Sequence, residues 1–360
     1  MFKLTEGKVI KILLENNNII KLKVKKENKI SRAIFYKELL GEVEIGDKVI
    51  LNTTANALDL GTGGYDFVVC VLNQKTNFDK QGHIMKLRYT PYQIKTCAVA
   101  EQDSDYREEI NKFDSLAGTP VLIGELHSML AAATAVLRGK RPQSNISYIM
   151  TDGGALPIAF SDLVNQLKAK NLINHTITSG HSFGGDLEAI NIYTALIAAK
   201  EVKKADIIIV IMGPGIVGTG TKYGFSGIEQ ANILHAVKKL GGEAVVIPRI
   251  NFSDSRNRHF GLSHHTKTVL GELTLTKAKV GIPILEERKN KIIEKQLAKN
   301  KITKKHEVIY HESNKVIDYI KEVEKLCKTM GKSYNQAQDY FLTCGISALI
   351  ASKLIKGGKK

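Results

Sequence analysis

The sequence predicts an α/β protein in which a doubly wound, mainly parallel sheet follows a small N-terminal β-barrel-like domain. Up to about residue 78, short alternating or apolar segments are separated by turn residues such as those at 16–18, the pattern of a small barrel or sandwich. From residue 116 onward, short continuous apolar runs alternate with helical patterns. Such runs are typical of parallel strands that are covered on both faces.

This change of pattern divides the 360 residues into four segments. Residues 1–78 form the small β-barrel or sandwich domain, and residues 79–115 form a connector. Residues 116–312 form the α/β domain, which we expect to carry a ligand site at the carboxyl ends of its strands. Residues 313–360 form C-terminal helices that pack on the α/β domain.

The individual elements follow from the spacing of the apolar residues. The barrel strands are predicted at 8–14, 19–24, 32–36, directly after the Gly46-Asp47 turn, and at 65–72. The later strands are predicted at 120–123, 146–150, 175–178, 205–212, 243–248, 279–284 and 307–310. The helices are predicted at 126–137, 157–170, 186–200, 228–240, 315–328 and 335–356.

The net charge of +16 comes from 52 Lys and Arg against 36 Asp and Glu, and it favours anionic ligands. The basic residues are spread along the whole chain, and no segment alternates aromatic with basic residues as a base-stacking surface does. Nucleic acid is therefore an alternative partner that we do not favour. The longest aliphatic run, Ile207–Met212, is too short to span a membrane, so we expect no membrane association.

We expect a cytoplasmic protein. The first 17 residues mix Lys and Glu with apolar residues, unlike a signal peptide. Cys70, Cys97, Cys327 and Cys344 lie far apart with no CxxC spacing, which is typical of free thiols in a reducing compartment. The sequence leaves the oligomeric state open, with a homo-oligomer as one alternative.

Polar and glycine residues follow five consecutive strands of the predicted parallel sheet. In an open parallel sheet, ligands bind at the carboxyl ends of the strands. The segments at these ends contain Gly, His, Arg or acidic residues, and they span 124–128, 151–155, 179–188, 213–222 and 249–266. Their clustering predicts a ligand site at this edge.

The loop at 213–222 is the most specific of these segments. Gly213, Gly215 and Gly218 match a GxGxxG spacing, which lets backbone N–H groups approach a phosphate. The next predicted helix begins only near Ser226, and the loop is not a Walker motif. We interpret it as an anion-binding loop, with a glycine loop that folds over a neighbouring segment as the alternative.

Three of the nine Arg lie within ten residues of each other. Arg binds carboxylate and phosphate groups in a bidentate manner, so this grouping indicates an anion clamp, with an ion-pair patch at the surface as the alternative. The candidate anion-binding residues are Gly213, Gly215, Gly218, Thr219, Gly220, Thr221, Lys222, Arg249, Arg256 and Arg258.

Histidines and carboxylates at the same edge are candidates for catalysis or for binding a divalent metal. We expect the His264-His265 pair on a loop or at a strand start, where only one ring enters the site because successive residues point to opposite faces. Asp186 is expected to cap a helix. The catalytic candidates are His181, His264, His265, Asp152 and Glu188. The metal candidates are His127, His181, Asp186 and His264, and metal-free acid–base chemistry stays open.

Several longer motifs carry a resemblance to a known family. They are LNTTA at 51–55, GTGGY at 61–65, KLRYTPYQ at 86–93, MTDGGALP at 150–157, GGDLEA at 184–189, GTGTKYGFSG at 218–227 and SHH at 263–265. In these motifs the sequence resembles the uncharacterised bacterial family called domain of unknown function 3866. The resemblance implies a soluble bacterial protein and supplies no activity, substrate or catalytic residue.

The residues themselves favour an enzyme that acts on a small anionic substrate, phosphorylated or nucleotide-like, by hydrolysis or group transfer. A non-catalytic regulatory protein that binds a metabolite or RNA is the first alternative. An NADP-dependent oxidoreductase is a weaker one, because Arg249 stands where an acidic ribose ligand is expected. The sequence does not identify a cofactor and leaves a divalent metal open.

Overall fold

The computed structural model describes residues 2–59, 61–75, 81–154 and 156–355, which form two compact units. The first unit comprises Met1–Gln81 and Leu87–Lys95, and the second comprises Gly82–Lys86 and Thr96–Lys360. The predicted boundary at residue 78, the loop residue Ala155 and residues 356–360 of the C-terminal segment lie outside the described residues.

The first unit is a closed five-stranded barrel, which confirms the predicted β-barrel. Its strands are β1 (Leu4–Glu15), β2 (Ile19–Lys25), β3 (Ile30–Tyr36), β4 (Lys48–Asn52) and β5 (Tyr65–Val71), in the order β1-β2-β3-β5-β4. Two short helices, α1 (Lys37–Leu40) and α2 (Thr54–Ala57), accompany them. Apolar residues alternate with Lys along β2, so Leu22 and Val24 fill the barrel while Lys23 and Lys25 are exposed.

The second unit contains an eight-stranded sheet in which every neighbouring pair is parallel. Its strands are β6 (Pro120–Gly124), β7 (Ile146–Thr151), β8 (His175–Ser179), β9 (Leu187–Ala189), β10 (Ile207–Met212), β11 (Glu243–Val246), β12 (Lys279–Ile284) and β13 (Glu307–Glu312). The spatial order is β9-β8-β7-β10-β6-β11-β12-β13. The predicted fold class is therefore confirmed.

Ten helices and several short elements complete the described part of this unit. The helices are α3 (Arg107–Asn111), α4 (Leu130–Lys140), α5 (Asp162–Ala169), α6 (Ile192–Ile197), α7 (Gln230–Lys239), α8 (His264–Thr268), α9 (Glu287–Lys299), α10 (Ile302–Lys305), α11 (Asn314–Glu322) and α12 (Gln338–Leu354). Wider helical turns at Ala198–Val202 and Val269–Leu273 extend α6 and α8. Tighter turns cover His127–Met129, Ile158–Phe160, Ser226–Glu229, Asn257–His259 and Glu324–Leu326. Short strands of this unit lie at Ile84–Lys86, Ile250–Asn251, Gly261–Leu262, Lys328–Thr329 and Lys332–Ser333, and the short strand Ile94–Thr96 begins in the first unit and ends in the second.

The helix that the sequence predicts at 186–200 is wrong at its start. Leu187–Ala189 forms the edge strand β9, which pairs with β8, and α6 begins only at Ile192. The side chain of Asn191 caps α6 by accepting a hydrogen bond from Thr194 N. Asp186 therefore does not cap a helix.

Apolar cores lie on both faces of the sheet. Along β10, Ile207, Ile209 and Ile211 enter one core while Ile208 and Val210 enter the other. Helices α4, α5, α11 and α12 cover the first face, and α6, α7 and α9 cover the second. Within the described ranges, no helix has both the length and the apolar character needed to cross a membrane.

The winding of the chain reverses between β6 and β10, which are neighbours in the sheet. From β6 the chain continues to β7, β8 and β9 on one side, and from β10 it continues to β11, β12 and β13 on the other. The helices that follow these two strands, α4 and α7, lie on opposite faces. The connections therefore diverge and open a crevice at the carboxyl ends of β6 and β10, the usual place for a ligand in this class of fold.

Candidate functional site

A cleft of about 630 Å³ lies at this reversal point. Residues after β6 and residues after β10 line it, together with α5 and the segment 325–330. Its polar and charged lining includes His127, Ser128, Asp162, Lys325 and Lys328. The volume is within the range of about 300–1,000 Å³ that is typical of small-molecule sites.

His127 lines the cleft, and both of its ring nitrogens are within hydrogen-bond distance of other protein groups. Its Nε2 is 2.6 Å from Ser161 Oγ, and its Nδ1 is 3.4 Å from both Met212 O and Tyr148 Oη. Burial lowers the pKa of His127 to about 4, so the ring is neutral at pH 7. Both ring nitrogens have protein partners, which favours a positioning role over metal binding.

The loop at 213–222 has two parts with different environments. Gly213 and Gly215 line the cleft. Beyond them the loop folds as a hairpin, in which Thr219 N donates to Gly224 O at 2.7 Å. Lys222 Nζ is 2.6 Å from Glu272, so its charge is paired in this structure. The backbone does not run directly into a helix N-terminus, because helical structure starts only at Ser226.

His259, His264 and His265 form a compact cluster. The prediction that His264 and His265 lie on a loop or at a strand start, with only one ring in the site, is wrong: α8 begins there, and both rings enter the cluster. Ser263 caps α8 by accepting from His265 N at 3.2 Å. The two neighbouring rings are 4.3 Å apart, and the His259 ring lies 4.9 and 5.0 Å from them. One nitrogen from each residue can be chosen so that all lie within 4.8 Å of one another.

A buried carboxylate and a buried guanidinium support this cluster. Glu125, which is 1% exposed, accepts from His265 Nδ1 and, at 3.2 Å, from Arg249 Nη1. Burial disfavours the ionised carboxylate, but the hydrogen bond with His265 and the charge of Arg249 hold the pKa of Glu125 below its ordinary value. Phe225 stacks on the His265 ring at 3.9 Å.

Two of the three Arg residues that were predicted to clamp an anion, Arg249 and Arg256, are paired with carboxylates of the protein. Arg249 is 4% exposed and also lies 3.5 Å from Asp254. Arg256 binds Asp254 through two nitrogens, at 2.9 and 2.8 Å, and holds the pKa of that carboxyl well below its usual range. Arg258 is exposed. Arg249 is engaged with carboxylates, so its position does not favour a 2′-phosphate site.

A family model described as "Protein of unknown function (DUF3866)" matches residues 32–348. The chain belongs to this family. The match includes the cleft and the histidine cluster, and it confirms the resemblance found in the sequence motifs. No curated protein matches the chain.

In the DUF3866 protein, two further acidic residues, Asp152 and Glu229, lie around the carboxyl end of β7. Asp152 Oδ2 accepts from His181 N at 2.9 Å. Glu229 Oε1 accepts from Thr151 Oγ1 at 2.5 Å. Burial raises the pKa of Glu229 to about 7. The negative charge of Asp152 also raises this pKa, whereas the hydrogen bond from Thr151 lowers it. Sequence reasoning missed Glu229 because it falls within the predicted helix at 228–240.

Glu188 and Asp186 bind groups around the edge strand β9. Glu188 Oε2 accepts from Lys86 Nζ at 2.6 Å and from Thr178 Oγ1 at 2.7 Å. Asp186 accepts from Lys168 Nζ at 2.6 Å and from Thr176 N at 2.8 Å. These contacts favour a structural role for both residues.

Of the four metal candidates that the sequence suggested, only His264 belongs to the cluster found among the described residues. His181 and Asp186 follow β8, which lies three strands from β6, a separation of about 14 Å at the usual strand spacing. His259 and Glu125 were not among the candidates. The short distance along the chain between His259 and the His264-His265 pair was the sequence feature that could have indicated the cluster. No sequence feature indicates Glu125, because it lies 140 residues from His265.

Proposed function

We propose that this DUF3866 protein is an enzyme that acts on a small anionic substrate by hydrolysis or group transfer. The observation that carries the proposal is the cleft at the reversal point of a doubly wound sheet, with the partly buried histidine cluster near it. The connections that follow β6 and β10 diverge at this position, so a ligand crevice forms there without distortion of either strand.

The lining of the cleft supports an anionic ligand. Lys325 and Lys328 are exposed at its wall, and the backbone of 213–216 forms another part of it. Leu126, Leu163 and Ile216 supply apolar surface. Such a mixture suits a ligand with one charged end and an apolar or ring-shaped remainder.

Intervening residues connect the cleft to the histidine cluster. A Cβ at Gly227 would lie 2.7 Å from Cγ of Glu125, which holds His265, and 3.3 Å from Cδ1 of Ile216, which lines the cleft. The loop also reaches the cluster, since a Cβ at Gly218 would lie 3.8 Å from His265 Nε2. Together these contacts support a reaction at the cluster on a substrate held in the cleft.

Glu229 supports proton transfer in this region. A pKa of about 7 leaves the carboxyl half protonated at neutral pH, which is the range a general acid or base needs. In this assignment Lys325 and Lys328 hold the anion, and the reaction takes place beside the cluster that Glu125 supports through His265.

The experiment is a thermal-melt screen against inorganic phosphate, nucleotides and sugar phosphates, followed by an assay of phosphate release from each nucleotide or sugar phosphate that binds. A ligand at about 100 times its Kd stabilises by about 2.7 kcal/mol, which shifts the Tm by several degrees. Lys325→Ala/Lys328→Ala should abolish the shift. The control Lys315→Ala/Lys321→Ala changes the net charge equally at exposed positions and should retain it. A screen with no hit, or equal loss in both variants, contradicts the proposal.

A second candidate function, binding of RNA by the barrel, is favoured by one observation. Lys8 lies directly opposite Lys25, and Lys11 lies opposite Lys23, across β1 and β2. All four side chains are exposed. Like charges opposite each other destabilise a strand pair, whereas a bound polyanion neutralises them.

Anisotropy with a labelled single-stranded RNA tests this second candidate. Lys11→Glu/Lys23→Glu should lower the affinity at least tenfold and flatten its salt dependence, because fewer phosphates are neutralised. Lys295→Glu/Lys304→Glu makes the same change of charge at exposed positions outside the barrel and should bind as the parent does. Equal loss in the two variants indicates only a general charge effect and refutes a barrel site.

A further inference from the structure

We propose that His259, His264 and His265 bind a divalent transition metal, with Zn²⁺ as the ion whose ligand preference they match. This inference goes beyond the proposed function, because it concerns an ion rather than the substrate. Its basis is the arrangement of the three imidazoles, whose chosen nitrogens all lie within 4.8 Å of one another. In a tetrahedral zinc site with Zn–N distances of about 2.0–2.1 Å, ligand nitrogens are about 3.4 Å apart, so small side-chain rotations close the site.

The helix start brings two adjacent histidines to one ion. Successive residues of a helix differ by about 100° around its axis, so their side chains are not forced to opposite faces as they are in a strand. His264 and His265 open α8, and their rings are 4.3 Å apart. His259, from the preceding turn, then supplies the third ring.

Hydrogen bonds orient two of the rings for coordination. Ser263 Oγ is 2.8 Å from His259 Nδ1, and Glu125 accepts from His265 Nδ1, so the Nε2 atom of each ring is the one left to bind an ion. A carboxylate that holds the second nitrogen of a histidine is the usual companion of a metal ligand, since it fixes the tautomer and increases basicity.

The third ring carries a buried nitrogen that lacks a partner. Within the described residues, His264 Nε2 is buried and makes no hydrogen bond, and the same holds for Glu125 Oε2. Buried polar atoms are nearly always paired, because an unpaired one loses its hydration without compensation. A metal at the cluster would satisfy the His264 nitrogen directly.

The chemistry of the ligands selects the class of ion. Three imidazole nitrogens suit Zn²⁺, Co²⁺ or Ni²⁺, whereas Mg²⁺ and Ca²⁺ prefer oxygen ligands. Three protein ligands also leave a fourth position, as in catalytic zinc sites. Gly218 passes near His265 Nε2 without a side chain, so there is room for water or substrate oxygen at that position. A bound metal would supply Lewis-acid activation of that oxygen.

Two carboxylates offset most of the positive charge around the cluster. Glu125 and Asp254 face Arg249 and Arg256, and Arg258 adds one further positive charge that acts on His264, so these charged groups sum to about +1 before the ion enters. The positive charge of Arg249 is therefore offset at short range by two carboxylates.

The test is metal binding by the full chain after treatment with chelator, measured by calorimetry with Zn²⁺ and by the visible absorption of Co²⁺. We expect one ion per chain, and Co²⁺ bands of a four-coordinate site with nitrogen ligands. His264→Ala and His259→Ala should each weaken Zn²⁺ binding at least 100-fold. His83→Ala removes an exposed histidine and should leave binding unchanged.

Glu125→Gln keeps all three ligands and should weaken binding about 10- to 100-fold. The parent protein itself provides the decisive measurement, since it does not depend on the folding of any variant. Absence of binding at 1 mM Zn²⁺, Co²⁺ and Ni²⁺, or unchanged affinity in both His→Ala variants, overturns the proposal. Because no substrate is used, failure here is distinguishable from failure of the ligand screen.

Discussion

Replacing Glu229 by Gln should stabilise the protein at alkaline pH and leave its stability unchanged at acid pH. Burial raises the pKa of Glu229 from 4.5 to about 7. Between these values the folded protein holds a proton that the unfolded chain has released, so the free energy of unfolding falls as the pH rises. Each pKa unit is worth about 1.4 kcal/mol, so ionising Glu229 costs the folded state about 3 kcal/mol above pH 7. A Gln side chain avoids this cost at every pH.

Urea unfolding followed by circular dichroism at pH 4.5, 6 and 8 measures the effect. Glu229→Gln should add about 3 kcal/mol at pH 8, about 6–12 °C in Tm, and close to nothing at pH 4.5. Thr151 Oγ1 can donate to the amide oxygen as it does to the carboxyl. Glu294→Gln, at an exposed helix position, is the control and should show no pH-dependent gain. An equal gain at both extremes of pH, or a loss at pH 8, refutes the reasoning.

Three other measurements probe the second unit. Burial lowers the pKa of His127 from 6.5 to about 4, so the stability that its neutral ring provides is complete above pH 6.5 and is lost as the pH falls toward 4. An NMR titration of this ring should find it neutral at pH 5, and a titration midpoint near pH 6.5 contradicts the prediction. Lys86→Met leaves the largely buried Glu188 carboxylate without its cation and should lower the free energy of unfolding by about 3 kcal/mol, measured by urea unfolding. A loss below about 1 kcal/mol would show that the ion pair does not stabilise the fold. Gly281→Ala places a Cβ 2.7 Å from Oγ of Ser347, which lies on α12, and should lower the free energy of unfolding by about 1–3 kcal/mol. An unchanged midpoint of urea unfolding would show that α12 moves to accommodate the methyl group at no cost.

Most of the parallel sheet could be predicted because its strands are continuous apolar runs. Ile207–Met212 is buried throughout, so its sequence leaves little alternative to a central strand. Strand β9 was missed for a physical reason. Leu187–Ala189 has only three residues and forms at the sheet edge through pairing with β8, an interaction that local periodicity does not record.

The candidate site could be predicted only as an edge of the sheet. Residues that follow consecutive strands in the sequence need not meet, since β8 and β6 are separated by β7 and β10. The contact between Glu125 and His265 depends on that strand order, which the sequence does not express. The start of α8 was more accessible, because Ser263 is a typical cap directly before the histidine pair.

The position of β10 has a consequence for synthesis of the chain. Among the described strands, β6 pairs with β10 and β11 alone, and both come later in the sequence. The apolar segment Pro120–Gly124 therefore has no partner strand until β10 is complete at residue 212, which is 88 residues after residue 124. At about 5–20 residues per second, synthesis of these residues takes roughly 4–18 s, during which the nascent chain contains an unpaired apolar strand. Slower translation across 125–212 therefore lengthens the time for which this apolar segment has no partner strand.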